Sequence, residues 1–201
     1  MKLIGMLDSP YVRRVAISLQ LLGLPFEHQS LSVFRTFDEF SRTNPVVKAP
    51  TLVCDDGTVL MDSTLILQYA EALAGRSLLP AEPQALAQSL RTVGLALAAC
   101  EKAVQIVYER GLRPADKQHE PWVARVTGQL LAACDRLEQA APTKAMDQTG
   151  VSTAVAWEFI QKMVPDVVPA ARYPNLVAFS RRAEALPAFA AAPHGDSTYR
   201  G

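Results

Sequence analysis

The sequence predicts an α/β domain followed by an all-α domain, and three observations carry that prediction. Up to Gly75, short strand-like runs alternate with helical patterns. Between two of those runs stands Asp55-Asp56-Gly57, a strong hairpin signal. Beyond Pro83 the strand signal stops and only helical spacing remains, a change that argues for two domains. The expected domains are 1–77 and 84–201, with a proline-bearing linker, Leu78 to Pro83, between them.

Each element has its own warrant. Lys2 to Met6 is a short apolar run of strand length. Ser9-Pro10 reads as a helix start, because Ser is a favoured N-cap and Pro is tolerated at the first helical position. Val12, Val15, Ala16, Leu19 and Leu22 follow on one face, with Arg13, Arg14 and Gln20 off it. Gly23 is the expected stop, and Pro25 cannot continue the helix. Phe26 to Leu31 is the second strand and Arg35 to Arg42 a short polar helix. Thr51 to Cys54 and Thr58 to Met61 form the hairpin. From Ser63 the pattern is helical again, through Leu65, Ile66, Tyr69, Ala70 and Leu73, until Gly75. The first domain therefore reads β-α-β-α-β-β-α. In the second, one long helix runs from Leu86 to Val107 and another from about Pro121 to Leu137. Shorter helices are expected over Ser152 to Met163 and Asn175 to Leu186.

Composition narrows the functional classes. Hydrophobic residues make up 49% of the chain, and 20 basic residues balance 20 acidic ones, so no basic surplus suggests a nucleic-acid partner. The apolar run at the start is too short for a secretory leader, and no stretch is apolar for long enough to span a bilayer. Three widely spaced cysteines, Cys54, Cys100 and Cys134, fit neither a disulfide framework nor a zinc site. The histidines, His28, His119 and His194, are scattered without ligand spacing, so no metal is implied. The expectation is a cytoplasmic protein with no membrane and no nucleic-acid partner.

Three stretches of the first half carry a resemblance. They are Ser9-Pro10-Tyr11-Val12-Arg13-Arg14-Val15 after the first strand, Asn44-Pro45-Val46-Val47-Lys48-Ala49-Pro50 before the hairpin, and Asp62-Ser63 opening the next helix. With the helical second half, they resemble the cytosolic glutathione transferases of the serine type, as found in bacteria. The resemblance implies a thioredoxin-like N-terminal domain that binds glutathione, an all-helical C-terminal domain, and a homodimer. It implies a detoxification role, with glutathione as co-substrate, no cofactor, and a small hydrophobic electrophile as second substrate.

The residues have local readings beside the implied ones. Ser9 as an N-cap accepts a backbone N–H, worth about 1 kcal/mol. The resemblance instead makes Ser9 the catalytic residue, donating a hydrogen bond to the glutathione sulfur and favouring its thiolate. A helix N-terminus suits that role, since its partial positive charge lowers thiol pKa values. No cysteine stands at this helix start, so disulfide exchange through a protein thiol is not expected. Pro50 is implied to be a cis-proline that turns the Ala49 backbone toward the cysteinyl part of glutathione, with Lys48 near the glycyl carboxylate. Asp62 and Ser63 are implied to hold the γ-glutamyl end, or act simply as a cap. Tyr11 and Tyr108 are the candidates for the electrophile pocket. Two departures stand out. Val47 occupies a position where the family often has Gly. The usual Ser/Thr-to-Asp capping box of an inner helix is missing at Ser152 and Thr153, leaving Ser152 to cap alone. Two alternatives remain open: a non-catalytic glutathione-binding or regulatory protein, and a glutathione-dependent isomerase or dehalogenase.

Overall fold

The computed structural model describes residues 1–143 and 146–201. It divides into two compact units, Met1–Leu78 with Ala185–Gly201, and Leu79–Glu184. The C-terminal limit of the helical unit is therefore Glu184, where the sequence reading ran it to 201. The last residues return to the first unit, a long-range contact that local periodicity does not encode.

In the first unit, β1 (Lys2–Ile4), β2 (Glu27–Gln29), β3 (Thr51–Val53) and β4 (Val59–Met61) form one sheet in the order β2-β1-β3-β4. β1 pairs parallel with β2, and the other pairs are antiparallel. The register aligns Leu3 with both His28 and Leu52. Helices α1 (Pro10–Leu22), α2 (Phe37–Thr43) and α3 (Ser63–Ala74) complete the thioredoxin-like arrangement. Gly23 ends α1 at φ 74°, a left-handed conformation that glycine adopts without penalty, and Gly75 closes α3 in the same way. The hairpin turn forms at Asp55-Asp56-Gly57, where the Asp56 side chain accepts the Thr58 N–H at 2.9 Å. α2 starts two residues later than the sequence pattern suggested. The Ser32 hydroxyl accepts the N–H groups of Phe34 (3.2 Å) and Arg35 (3.0 Å), which holds that stretch in a turn.

Arg13 and Arg14 overturn the expectation of a solvent-facing side to α1, with 1% and 4% exposure. The cause is a second layer: α1 packs against β1, α3 and also α8 (Pro187–Ala190), from the returning C-terminal stretch. The Arg13 guanidinium donates to the Ala192 carbonyl at 2.7 Å and lies 5.8 Å from the Phe189 ring centroid. The Gln20 amide donates to the Ala188 carbonyl at 2.9 Å. Apolar burial here is accompanied by polar groups satisfied on the backbone of the covering segment.

The second unit is built from α4 (Pro83–Leu112), α5 (Glu120–Gln139), α6 (Gln148–Met163) and α7 (Pro174–Glu184). Ala96, Ala99 and Ala103 of α4 are fully buried, and small side chains of this kind let neighbouring helices approach closely; α4 meets both α5 and α6. Cys100, Cys134 and Trp157 lie in this core. α6 begins a turn earlier than expected. Asp147 is its cap, accepting the Gly150 N–H at 2.7 Å, so Ser152 and Thr153 are interior helix residues and neither caps.

Candidate functional site

Ser9 stands at the N-cap of α1 in extended conformation, with Pro10 at the first helical position. Its hydroxyl accepts the Val12 N–H at 3.4 Å, near the outer limit for such a bond. Among the described residues the Ser9 side chain makes no other hydrogen bond, so its proton is left to donate to a ligand. Tyr11 follows on the first turn and is half-buried.

The loop before β3 is held by an internal polar chain. Buried Asn44 donates to the Thr51 hydroxyl at 2.8 Å, and that hydroxyl donates to the Lys48 carbonyl at 2.8 Å. The Asn44 side-chain oxygen accepts the Val46 N–H at 3.0 Å, an Asx turn. Within this loop the Ala49–Pro50 peptide bond is cis, and Val47 has φ 51°. Positive φ is a strained state for a β-branched residue, and glycine would occupy it freely. Asn44 and Thr51 were not singled out from sequence, although an Asn before a Pro is a turn signal. The Lys48 side chain is exposed.

Asp62 caps α3, accepting the Thr64 N–H at 2.9 Å, and it too has positive φ, 73°. Ser63 is buried just inside the helix, with its hydroxyl accepting from the Arg14 guanidinium at 3.1 Å. The same Arg14 nitrogen donates to the Thr64 hydroxyl at 3.2 Å. Arg14 is a site-organising residue that the sequence pattern hid. Its spacing assigned it to the outer face of α1, and nothing local signals that α3 covers it.

Two contacts bring the three stretches together inside the first unit. A Cβ on Gly5 would sit 2.6 Å from Val12 Cγ2 and 3.1 Å from Ala49 Cβ, so the end of β1, the first turn of α1 and the Ala49 loop meet where only glycine fits. Arg14 then ties α1 to the start of α3. Ser9 thus caps α1, Ala49 meets its first turn across Gly5, and Ser63 is tied to it by Arg14. Tyr108 is in the second unit, on an exposed face of α4. A recess of about 420 Å³ lies beside α2, lined by Phe34, Arg35, Thr36, Phe37, Asp38, Glu39 and Arg42, and holds none of these candidates.

The residue preceding Ser9 is a half-buried carboxylate. Burial raises the Asp8 pKa above its ordinary value, and the Asp196 carboxylate adds to the rise. The N–H groups of Ser9 and Asp8 and the Arg35 guanidinium pull the other way. The cysteines are far from this chemistry in character. All three are buried thiols outside any disulfide among the described residues, and burial followed by the Asp135 charge pushes the Cys134 thiol up to about 12. Among the described residues no group of His, Cys, Asp and Glu is placed to hold a metal ion.

The family described as the N-terminal domain of glutathione S-transferases matches residues 3–80, the stretch that contains Ser9, Ala49, Asp62 and Ser63. Residues 3–80 are thus a glutathione S-transferase N-terminal domain. The chain is 31% identical over 105 residues to the uncharacterised GST-like protein YibF of Escherichia coli, covering 47% of this chain and 52% of that one. The chain spans about half the length of the curated relatives it matches. Solved structures match more fully. A glutathione S-transferase from Methylobacterium radiotolerans, in complex with glutathione sulfonate, superposes with a TM-score of 0.86 at 28% identity over 94% of this chain and 92% of that one. A glutathione transferase family member from Pseudomonas fluorescens, with bound glutathione, gives 0.84 at 28% identity over 95% and 97%. Among the described residues no helix is long and apolar enough to cross a membrane.

Proposed function

We propose that the protein is a serine-type glutathione transferase that activates the glutathione thiol for attack on small hydrophobic electrophiles. The observation that carries this reading is the Ser9 hydroxyl at the start of α1, engaged among the described residues only by one long acceptor bond. Glutathione-bound relatives of the same fold support the ligand.

In this reading the thiol proton leaves to solvent and the Ser9 O–H donates to the sulfur that remains. The α1 N-terminus adds partial positive charge. Each pKa unit removed from the thiol corresponds to about 1.4 kcal/mol of preference for the thiolate. The thiolate then forms the S–C bond to the electrophile, and the leaving group departs with the bonding pair. The Ala49 backbone pairs with the cysteinyl unit, and Lys48 neutralises the glycyl carboxylate. Asp62 takes the γ-glutamyl amino group, and Ser63 with the α3 N-terminus takes its carboxylate. Tyr11, two residues after Ser9, borders the electrophile.

The protein is proposed to work as a cytoplasmic homodimer with a detoxifying role. Leu65, Tyr69 and Leu73 support the dimer: they recur every fourth residue along α3 and are 58%, 37% and 51% exposed, an apolar stripe suited to a second copy.

The test is ultraviolet titration of the thiol of glutathione bound to the wild type and to Ser9→Ala. The expected result is a thiolate near neutral pH in the wild type and a thiol at least one unit higher in the variant. Glutathione bound with the same ordinary thiol by both proteins would overturn catalysis by Ser9 and leave a glutathione-binding protein.

A further inference from the structure

The ring of His28 is held from both sides. His28 Nε2 lies 2.7 Å from the Gly5 carbonyl oxygen, and the Tyr199 N–H points at Nδ1 from 2.9 Å. A carbonyl only accepts and an N–H only donates, so Nε2 carries the proton and Nδ1 is bare. The neutral ring in this one tautomer satisfies both partners. Its two partners are far apart in sequence. Gly5 is the crowded junction of β1, the first turn of α1 and Ala49, four residues before Ser9. Tyr199 belongs to the C-terminal stretch that returns to this unit.

That stretch has further anchors on the same side of the fold. The Tyr199 ring stacks on Phe26 with centroids 4.6 Å apart. The Ser30 hydroxyl donates to the Asp196 carbonyl at 2.9 Å. The Asp196 carboxylate pairs with Arg35 at 2.7 Å, and the same Arg35 nitrogen is 3.5 Å from the Met6 sulfur. Met6 in turn accepts the Ser9 N–H at 3.2 Å through its carbonyl. The turn between β1 and α1 is therefore gripped at Gly5 through His28 and at Met6 through Arg35, and both grips end in residues 196–199.

We propose that His28 is a positioning residue for the turn that carries Ser9, tying that turn to the 193–200 segment, and that the tie holds only while the ring is neutral. The proposal rests on the glutathione reading above. A proton on Nδ1 would set two donors face to face across 2.9 Å, whereas the bond to the Gly5 carbonyl would survive. Protonation thus releases the tail and leaves the strand side in place. The direction is fixed by burial, which lowers the His28 pKa below 6.5, with the Gly5 carbonyl opposing it more weakly. A group so depressed destabilises the attached state as pH falls: the penalty is absent above 6.5 and complete below the lowered value. The titratable and charged groups on the elements around the ring are Lys2 of β1, Glu27 of β2, Asp8 of the turn, Arg35, and His194, Asp196, Tyr199 and Arg200 of the tail. Lys2 and Glu27 are 3.7 Å apart, as an exposed pair, and none of these charges enters the His28 shift.

The experiment uses the full chain, S-methylglutathione as a ligand without a titrating thiol, and nitrogen-15 NMR of the His28 ring. The ring spectrum is expected to show the Nε2–H tautomer at neutral pH and a pKa below 6.5. Affinity for S-methylglutathione is expected to fall about 3- to 10-fold on acidification, the range of one hydrogen bond, with the midpoint the ring shows. His28→Gln keeps a donor toward Gly5 but offers nothing at Nδ1. Like a chain ending at Pro193, it should bind weakly with no step at that midpoint. A step that persists in either variant overturns the proposal, as does an Nδ1–H ring at neutral pH. If the wild type fails to bind S-methylglutathione at every pH, the glutathione reading falls instead. The ring tautomer and the hydrogen exchange of the Tyr199 amide then still decide whether His28 holds the tail.

Discussion

Helices α1 and α6 both open on a polar side chain that accepts a backbone N–H, yet the two caps are built differently. The Asp147 carboxylate takes the Gly150 N–H at 2.7 Å, a short charge-assisted bond. The Ser9 hydroxyl takes the Val12 N–H at 3.4 Å. A short bond to an ionised acceptor spends the capping group on the helix itself. A long bond to a neutral hydroxyl leaves its donor for something else. α3 lies between these cases: Asp62 caps at 2.9 Å from a positive-φ backbone, and the adjacent Ser63 hydroxyl is oriented by buried Arg14. The same local chemistry thus secures a helix start in the helical unit and, in the proposed reading, turns polar groups toward a ligand in the first unit.

That contrast breaks most readily at its two ends. Ser9→Ala is expected to lower the rate of glutathione conjugation about 10²- to 10³-fold, the loss typical of one donor to a developing or stabilised anion. Its stability should change by less than about 1 kcal/mol, because the bond removed is long. Asp147→Ala should do the reverse, costing about 1–2 kcal/mol of stability with conjugation unchanged. Denaturant midpoints and initial rates on both variants decide the matter. Equal stability losses with equal rates would show that the two caps do the same job.

Ser63→Ala sharpens the intermediate case. It removes an acceptor from a buried guanidinium and a hydroxyl from the proposed γ-glutamyl subsite at once. The expected outcome is a KM for glutathione raised about tenfold, as for a hydrogen bond to a charged group, with kcat within a factor of about 3 and lower thermal stability. A normal KM in a less stable protein would mean that Ser63 serves only Arg14.

The sequence announced what depends on neighbours a few residues apart. Ser9-Pro10, Gly23, Asp55-Asp56-Gly57 and Gly75 each carry their conformational reason within the residue type, and each falls at the boundary it predicted. Contacts between distant segments left no such mark. Arg13 and Arg14 look like surface residues by spacing and are buried because α8 and α3 cover them. The return of residues 185–201 to the first unit has no local signature, and neither does the pairing of His28 with Tyr199. Within the candidate site, the residue types were legible at Ser9, Ala49, Asp62 and Ser63. The groups that hold them in place, Gly5, Arg14, Asn44 and Thr51, emerged only from packing.

Thr153 supplies the smallest and cleanest comparison. The sequence pattern placed it at the opening of the helix, but α6 starts a turn earlier and encloses it, with no exposed surface and, among the described residues, no hydrogen-bond partner for its hydroxyl. A hydroxyl in a helix commonly bonds back to a carbonyl of the preceding turn. An unpaired one carries the desolvation cost of a buried polar group, about 1–3 kcal/mol. Thr153→Val replaces that hydroxyl by a methyl of similar size and keeps the β-branch. It should stabilise the protein by about 1 kcal/mol, equivalent to about 2–4 °C in Tm for a chain of this length, with the glutathione thiol pKa unchanged. Thr153→Ser keeps the polar atom and removes the methyl, so it should destabilise by about 1 kcal/mol instead. If Val lowers Tm while Ser does not, the hydroxyl has a partner in solution, and α6 holds a polar group as deliberately placed as those of α1.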